Sequence, residues 1–433
     1  MAQPAIADPT GRPAMTVFNE LTMRSGAGDA GRGWNAGSRS RLVLTMSTTA
    51  LLLVGANLAT PLYPALQERL GLGPFAVTVA FSSYVLALIA GLVLYGHWSD
   101  HIGRRTALVL SVLVGLAGEI VFATAGGLAG LVTGRVLQGA AVAMVTGASS
   151  AALRELLPHR PEWAGRFTLL ASAGGVAAGP LLGGALGQLP HPTTTPFAVH
   201  CTMLIAVLVP LWTLHARPAI APAPGSAAFK ALRPRRLCLP PGVRTRFQQA
   251  AAVGFLSFAL FGFSLSLAPG YFARTLGVSS PAGIGALAAL VLIGSAAAQL
   301  VGRPRVRALP GALVGMALGT ALIGVAGALS SLPLLLLGAL FAGAAQGVAF
   351  RTAFNALSVA VPAADNARVV SAVYVVTYLG SAVPVLGLGV LAGAVGVPSS
   401  VHWFAGTLAG ACLLLAGTVR LRARRGPRRG QQA

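Results

Sequence analysis

Charge is what this 433-residue sequence has least of. Asp, Glu, Lys and Arg together make up 9% of it, against about 25% in an ordinary water-soluble domain. A soluble globular surface is therefore excluded. Negative charge is scarcer still, with nine Asp+Glu against 31 Lys+Arg, and lysine occurs once. The three cysteines, Cys201, Cys238 and Cys412, are odd in number and far apart, which supports neither a disulfide framework nor a metal site. There is no phosphate-binding Gly-Lys loop, nucleophile elbow or HExxH zinc pattern, so neither an ATP-driven pump nor an enzyme is indicated, and no cofactor is called for. The seven histidines are scattered, and each reads as loop or interfacial packing. Aromatics are only 6% of a chain that is 55% hydrophobic, with mean hydropathy +0.76. Its apolar character comes from Ala, Leu, Val and Gly, as in packed membrane helices. The chain reads as an integral membrane protein.

Hydrophobic segments of roughly 20 residues recur, each long enough as a helix to cross a bilayer core of about 30 Å. They fall near 42–64, 75–97, 106–126, 129–152, 165–188, 196–216, 247–270, 281–301, 308–329, 332–353, 367–394 and 399–420. Residues 1–41 are rich in Ala, Gly, Pro and Ser and lack the apolar stretch of a signal peptide, so a disordered cytoplasmic tail is expected. A basic, proline-rich linker over 217–246 divides twelve spans into bundles at 42–216 and 247–420, and 421–433 reads as a basic tail.

The formal net charge of +22 does not indicate nucleic-acid binding, because the arginines punctuate hydrophobic runs instead of clustering on one soluble face. With twelve spans, 27 of the 31 basic residues lie on one side, at the termini, the linker and alternate short loops. That bias predicts both termini in the cytoplasm. A shift of 204 positions places Gly134 on Gly338, Gly139 on Gly343, Pro158 on Pro362, Pro180 on Pro384 and Gly183 on Gly387. These coincidences predict duplicated six-helix halves, an architecture of transporters with the substrate site between them.

Four strings carry chemistry. Between spans 2 and 3 stands Gly96-His97-Trp98-Ser99-Asp100-His101-Ile102-Gly103-Arg104-Arg105. Its glycines permit a tight turn, and Asp100, Arg104 and Arg105 can pair with charges at neighbouring helix ends as a gate lock; a purely topogenic basic loop is the alternative. The corresponding loop of the second half, 302–307, keeps its arginines but has no acid. Span 4 carries Arg135-Val136-Leu137-Gln138-Gly139, and an arginine inside the membrane is a functional candidate by default. Glu119 in span 3 and Arg135 lie eight residues either side of Gly127. Antiparallel helices of equal rise put them at similar depth, and a direct salt bridge is expected. In span 5, Gly175, Gly179, Gly183 and Gly187 recur every fourth residue, with Pro180 and Gly184 among them, making a groove for close helix approach and a kink. Span 1 ends in Gly55-Ala56-Asn57-Leu58-Ala59-Thr60-Pro61-Leu62-Tyr63-Pro64.

Taken in order, these strings resemble the G-x-x-x-D-x-x-G-R-R, R-x-x-Q-G, G-x-x-x-G-P-x-x-G-G and G-x5-P-x-x-P motifs of the major facilitator superfamily, in its twelve-helix drug:proton antiporter branch. The resemblance implies an all-α membrane protein, with twelve transmembrane helices in two pseudo-symmetric six-helix bundles that alternate access to a central cavity. It implies a role in proton transfer for Arg135, and a cavity lined by spans 1, 4, 7 and 10. Those four spans contain no Asp or Glu, and Glu119 is the one acid within any span. Either Glu119 faces inward, or Asp100 contributes, or coupling is not to protons. A cavity without an acid fits a neutral or weakly anionic amphipathic substrate better than a cation. Candidate cavity residues are Asn57, Tyr84, Gln346, Tyr374 and Tyr378, with Phe255, Phe258, Phe261 and Phe263 as an aromatic wall; Arg351 is a candidate to snorkel. The expected partners are a small-molecule substrate, protons and the bilayer, with a monomer as the working unit in a bacterial cytoplasmic membrane. Efflux is the leading expectation. Import or uniport of a metabolite, or a non-transporting sensor or scaffold, are the alternatives.

Overall fold

A computed structural model describes residues 17–21, 34–216, 219–221, 230, 232–233, 242–301, 306–361 and 363–425. Its main elements are twelve helices, each long and apolar enough to cross a membrane. They are α1 (Ser38–Leu58), α2 (Pro74–Tyr95), α3 (Arg104–Ala123), α4 (Leu128–Leu156), α5 (Pro161–Leu186) and α6 (Thr195–Thr213), then α7 (Arg244–Ser266), α8 (Pro281–Leu300), α9 (Leu309–Ala328), α10 (Leu332–Ala360), α11 (Ala363–Val395) and α12 (Val397–Arg425). Proline in the first turn starts α2, α5, α6, α8, α9 and α10, where its missing N–H has no partner to lose.

The helices overrun the apolar stretches. α12 continues to Arg425, so the start of the expected 421–433 tail is helical, and α7 begins at Arg244 inside the expected linker. A helix needs only backbone hydrogen bonds to continue past the apolar stretch that fixes its span. The expectation for the first 41 residues is corrected at two places. Val17–Leu21 is helical, and α1 starts at Ser38. Most of the linker, the loop 302–305 and residues 426–433 lie outside the described set.

The halves repeat one another helix by helix. Moved by 204 positions, α4 coincides with α10 end to end. Neighbours match as well: α1 packs on α5 as α7 does on α11, α2 on α4 as α8 on α10, and α3 on α4 as α9 on α10. The halves meet through α5 with α8 and α2 with α11, two pairings that a two-fold rotation interchanges. Leu337, Val383, Ile205 and Leu414 are among the many exposed apolar side chains, so the outer surface suits lipid.

One end of the bundle carries the inter-helix arginines and is the basic end. Contacts between the halves gather toward the other, far end. Thr60 Oγ1 donates to the Leu265 carbonyl at 3.2 Å, and Ser82 Oγ to that of Ala382 at 3.4 Å. At Gly184 an added Cβ would stand 2.5 Å from the Pro281 carbonyl oxygen, and at Gly285 2.2 Å from that of Pro180. The far end is closed.

Candidate functional site

Close approach of α3 to its neighbours depends on two small residues. Gly118 abuts the backbone of Gly134 and Gln138 in α4, and Gly115 abuts Leu52 in α1. Ile120 points outward, 55% exposed, and so turns Glu119 into the bundle. Glu119 is 2% exposed and Arg135 1%. The expected direct salt bridge between them is absent; Gln138 stands between. Its Nε2 donates to Glu119 Oε1 at 3.2 Å, and its Oε1 accepts from Arg135 Nη1 at 2.9 Å. Gln138 lies one turn from Arg135 on the same helix face, which gives it first reach toward α3.

Arg135 Nη1 also donates to the Ala56 carbonyl of α1, and its guanidinium lies 4.5 Å from the ring centroid of Tyr84 and 6.0 Å from that of Phe81. A desolvated cation over an aromatic face gains about 2 kcal/mol, comparable to the roughly 2.5–3.5 kcal/mol that insertion scales assign to an arginine at mid-membrane. Beyond Glu119 the chain of contacts reaches His200 of α6, whose Nδ1 is 3.6 Å from Glu119 Oε1. His200 is 1% exposed, and its Nε2 is 3.0 Å from the Leu51 carbonyl. The reading of every histidine as loop or interface is corrected here. A polar residue in span 6 at the depth of Glu119 was the available signal.

Helix α5 shows two glycine faces, not one. Gly175, Gly179 and Gly183 press on α1, at Ala50, at Val54 and Asn57, and at Leu58. Gly184 and the Pro180 carbonyl press on Pro281 and Gly285 of α8. This helix is the seam between an intra-half contact and an inter-half contact.

At the basic end Gly103, with φ 86°, takes a conformation that disfavours side chains and turns the chain from the one-turn helix Ser99–Ile102 into α3. Gly96 sits at the C-terminus of α2. Arg104 pairs with Asp100 at 2.6 Å and with Glu155 of α4 at 2.8 Å. Arg105 pairs with Glu20 at 2.9 Å and donates to the Leu214 carbonyl. Each of these partners belongs to the first half or to the segment preceding it, so these pairs do not bridge the two halves. Burial pushes the Glu20 carboxyl above the usual carboxylate range, while Thr106 and Arg105 pull it back. Two described residues of the linker touch the same loop: Trp98 Nε1 donates to the Leu232 carbonyl at 3.1 Å and Ala221 N to that of Asp100 at 3.1 Å.

Of the candidate cavity residues, Tyr374 and Tyr378 are half-buried on an aromatic wall. Phe258 meets Tyr378 edge-on at 5.1 Å, Phe261 at 5.5 Å and Phe350 at 5.8 Å, while Phe350 stacks on Phe354 at 4.1 Å. Phe350 and Phe354 were not anticipated. Asn57, Tyr84 and Gln346 are buried in helix packing instead. Asn57 donates to its own helix at Leu53 and abuts Gly179, and Tyr84 lies under Arg135. Phe263 faces Phe404 of α12, away from this wall. Arg351 does not snorkel freely; it holds the Gln299 carbonyl at the end of α8.

The family model of the Major Facilitator Superfamily matches residues 45–384. The chain belongs to that superfamily. Over 168 residues it is 34% identical to the class E tetracycline resistance protein of Escherichia coli, covering 37% of this chain and 40% of that protein. Over 238 residues it is 29% identical to the putative multidrug resistance protein MdtD of Cronobacter sakazakii, covering 55% of this chain and 44% of that one. The matches thus span less than half the length of either relative. Among solved structures, the bacterial homolog of the human lysosomal transporter Spinster, inward-facing and unoccupied, aligns with TM-score 0.71 over 90% of this chain and 97% of that one at 16% identity. The human organic anion transporter MFSD10 aligns with TM-score 0.64 over 89% and 100% at 20% identity. At these identities the structural likeness speaks for the fold.

Proposed function

We propose that this superfamily member is a proton-coupled exporter of small neutral or weakly anionic amphipathic compounds. It works as a monomer by alternating access in a bacterial cytoplasmic membrane, with the basic end in the cytoplasm. The observation that carries the coupling is the buried chain from Glu119 through Gln138 to Arg135. A carboxylate facing a fixed positive charge in a dry site changes the local charge balance when it binds a proton, and this chain grips α1 at Ala56. Helix α1 in turn reaches the far-end contact through Thr60. The half-buried aromatic wall of α7, α10 and α11 supplies an apolar surface that carries no formal charge, which suits an uncharged or weakly charged compound. The arginine-rich ends support the orientation, and the similarity to a tetracycline resistance protein and a putative multidrug resistance protein supports efflux. Helix α5, seated between α1 and α8, supports exchange between two states.

Everted membrane vesicles test this reading. With an inward proton gradient reported by a pH-sensitive dye, addition of compounds from a panel that includes tetracycline should collapse part of the gradient. Arg135→Ala should abolish that response while the protein still inserts. Uptake that ignores the gradient would point to uniport and overturn proton coupling.

A further inference from the structure

In the first half, His200 and the bare backbone at Gly55 meet beside Glu119. A Cβ at Gly55 would stand 2.3 Å from Glu119 Oε1 and 2.5 Å from His200 Cε1. The first glycine of the span-1 motif is thus the floor on which α3 and α6 bring an acid and an imidazole together. The Leu51 carbonyl can only accept, so His200 Nε2 is the nitrogen that carries hydrogen. In the neutral ring Nδ1 is then a lone pair, and it faces Glu119 Oε1 at 3.6 Å with no hydrogen bond to any group. An ionised carboxylate also only accepts. Two acceptors face each other in a buried site, and one proton between them converts the opposition into a charge-assisted hydrogen bond.

We propose that His200 Nδ1 and Glu119 Oε1 form one proton-binding site, with His200 as its second proton-binding residue. The proposal rests on the proton-coupled reading above and deepens it. The proton comes from water at the far end once that end has opened. At 1.5 Å per residue, Glu119 and His200 lie about 6–8 Å inside the far ends of α3 and α6. Before loading, Arg135 and Glu119 balance; after loading, the carboxylate serves two cations. Glu119 Oε1 also accepts from Gln138 Nε2, so drawing it toward the imidazolium loosens the Gln138 bridge to Arg135. Both ends of the chain are anchored on α1, at Leu51 by His200 and at Ala56 by Arg135. Loading therefore acts on the helix that leads to the far-end closure. The other ionisable groups in electrostatic reach are Arg135 of α4, Tyr84 of α2, Tyr63 just beyond α1 and Cys201 of α6.

The test uses the full-length protein in lipid nanodiscs without substrate. Infrared difference spectra across a pH titration report the protonated carboxyl of Glu119, assigned by its loss in Glu119→Gln. In His200→Gln, the midpoint of that band should shift by about one to three pH units, because the neighbour that shares its proton is gone. Reciprocally, Glu119→Gln should move the midpoint of the His200 imidazole signal in nitrogen NMR. His200→Asn repeats the first titration if His200→Gln does not fold, and Gly55→Ala, which keeps both groups but crowds them, should move both midpoints. Midpoints that stay where they are in folded variants overturn the shared site. Coupled titration in a protein that drives no proton-linked transport would overturn the proposed function and leave this site standing; gradient-driven transport with independent titrations would do the reverse.

Discussion

Adjacent glycines of α5 face different partners, which gives a sharp test of where the moving seam lies. At Gly183 an added Cβ would sit 2.1 Å from the Leu58 carbonyl oxygen, inside the first half. At Gly184 it would sit 2.5 Å from the Pro281 carbonyl oxygen, and at Gly285 2.2 Å from that of Pro180, both across the halves. Ordinary contact begins near 3.4 Å, so each substitution forces backbone apart by about 1 Å. Overpacking of this kind costs roughly 1–3 kcal/mol. For Gly183→Ala that cost falls on every state in which α1 and α5 stay together, and it appears as lost thermal stability. For Gly184→Ala and Gly285→Ala it falls only on the state in which the far end is closed. The equilibrium should then move toward the far-open state by about 5- to 150-fold. A cysteine at Thr60, 2% exposed here, in a background free of native cysteines, reads this through its labelling rate with a membrane-impermeant maleimide on whole cells. Labelling should rise in Gly184→Ala and Gly285→Ala and stay low in Gly183→Ala. Equal labelling in all three would refute the assignment of the two faces.

Three further outcomes follow from the same contacts. Arg135→Lys should lose transport nearly as fully as Arg135→Ala in the vesicle assay, because a compact, strongly hydrated ammonium does not reproduce a planar guanidinium that lies over Tyr84 while its Nη1 holds both Ala56 and Gln138. Phe258→Ala removes the ring shared by Phe261, Phe350 and Tyr378, and at about 0.5–1.5 kcal/mol per aromatic pair it should weaken the apparent affinity for a transported compound by about ten-fold, whereas Tyr378→Phe should change it little. Burial raises the Glu20 carboxyl, so docking of the Val17–Leu21 segment favours the protonated form; it is strongest below the undocked carboxylate value and weakens as pH rises through the raised one. Spin labels at Leu21 and Val43 should show fewer short distances at pH 8 than at pH 5, and Glu20→Gln should remove the dependence. Docking that strengthens with pH would mean that the Arg105 ion pair outweighs burial.

The helices were legible because each must satisfy its own backbone inside lipid, which forces long apolar stretches that no other fold requires. Their ends were not, since α12 runs on to Arg425 and α7 starts at Arg244 through polar turns that carry no membrane signal. The depth of Glu119 and Arg135 followed from helix rise alone, but the rotation that placed Gln138 between them depended on Gly115 and Gly118 drawing α3 close. His200 was hidden because a lone imidazole in an apolar run has no periodicity; its depth, matching that of Glu119 across the bundle, was the available signal. Glu20 was hidden for the opposite reason. A solitary acid in a tail looks solvated until the fold presents Arg105 and Thr106 to it.

The two halves share one backbone plan but divide their side-chain chemistry. At the 204-residue offset Glu119, Arg135 and Gln138 correspond to Ile323, Ala339 and Ala342. Conversely, Phe350, Phe354, Tyr374 and Tyr378 correspond to Thr146, Ser150, Leu170 and Gly174. Charge is thus concentrated in one half and aromatic surface in the other. There is a physical reason for such separation under the proposed function. An apolar compound seated against an ionisable group would strip it of its partners and of any water, which raises the cost of its charged form; the same compound on the aromatic wall leaves the proton site untouched. Coupling then has to pass mechanically between the halves, and a hydrogen-bonded route is short: from Glu119 and Arg135 to α1, along α1 to Thr60, and from Thr60 to Leu265 at the end of α7. Helix α7 carries Phe258 and Phe261, so the element that meets the proton-bearing half at the far end is also one that builds the wall.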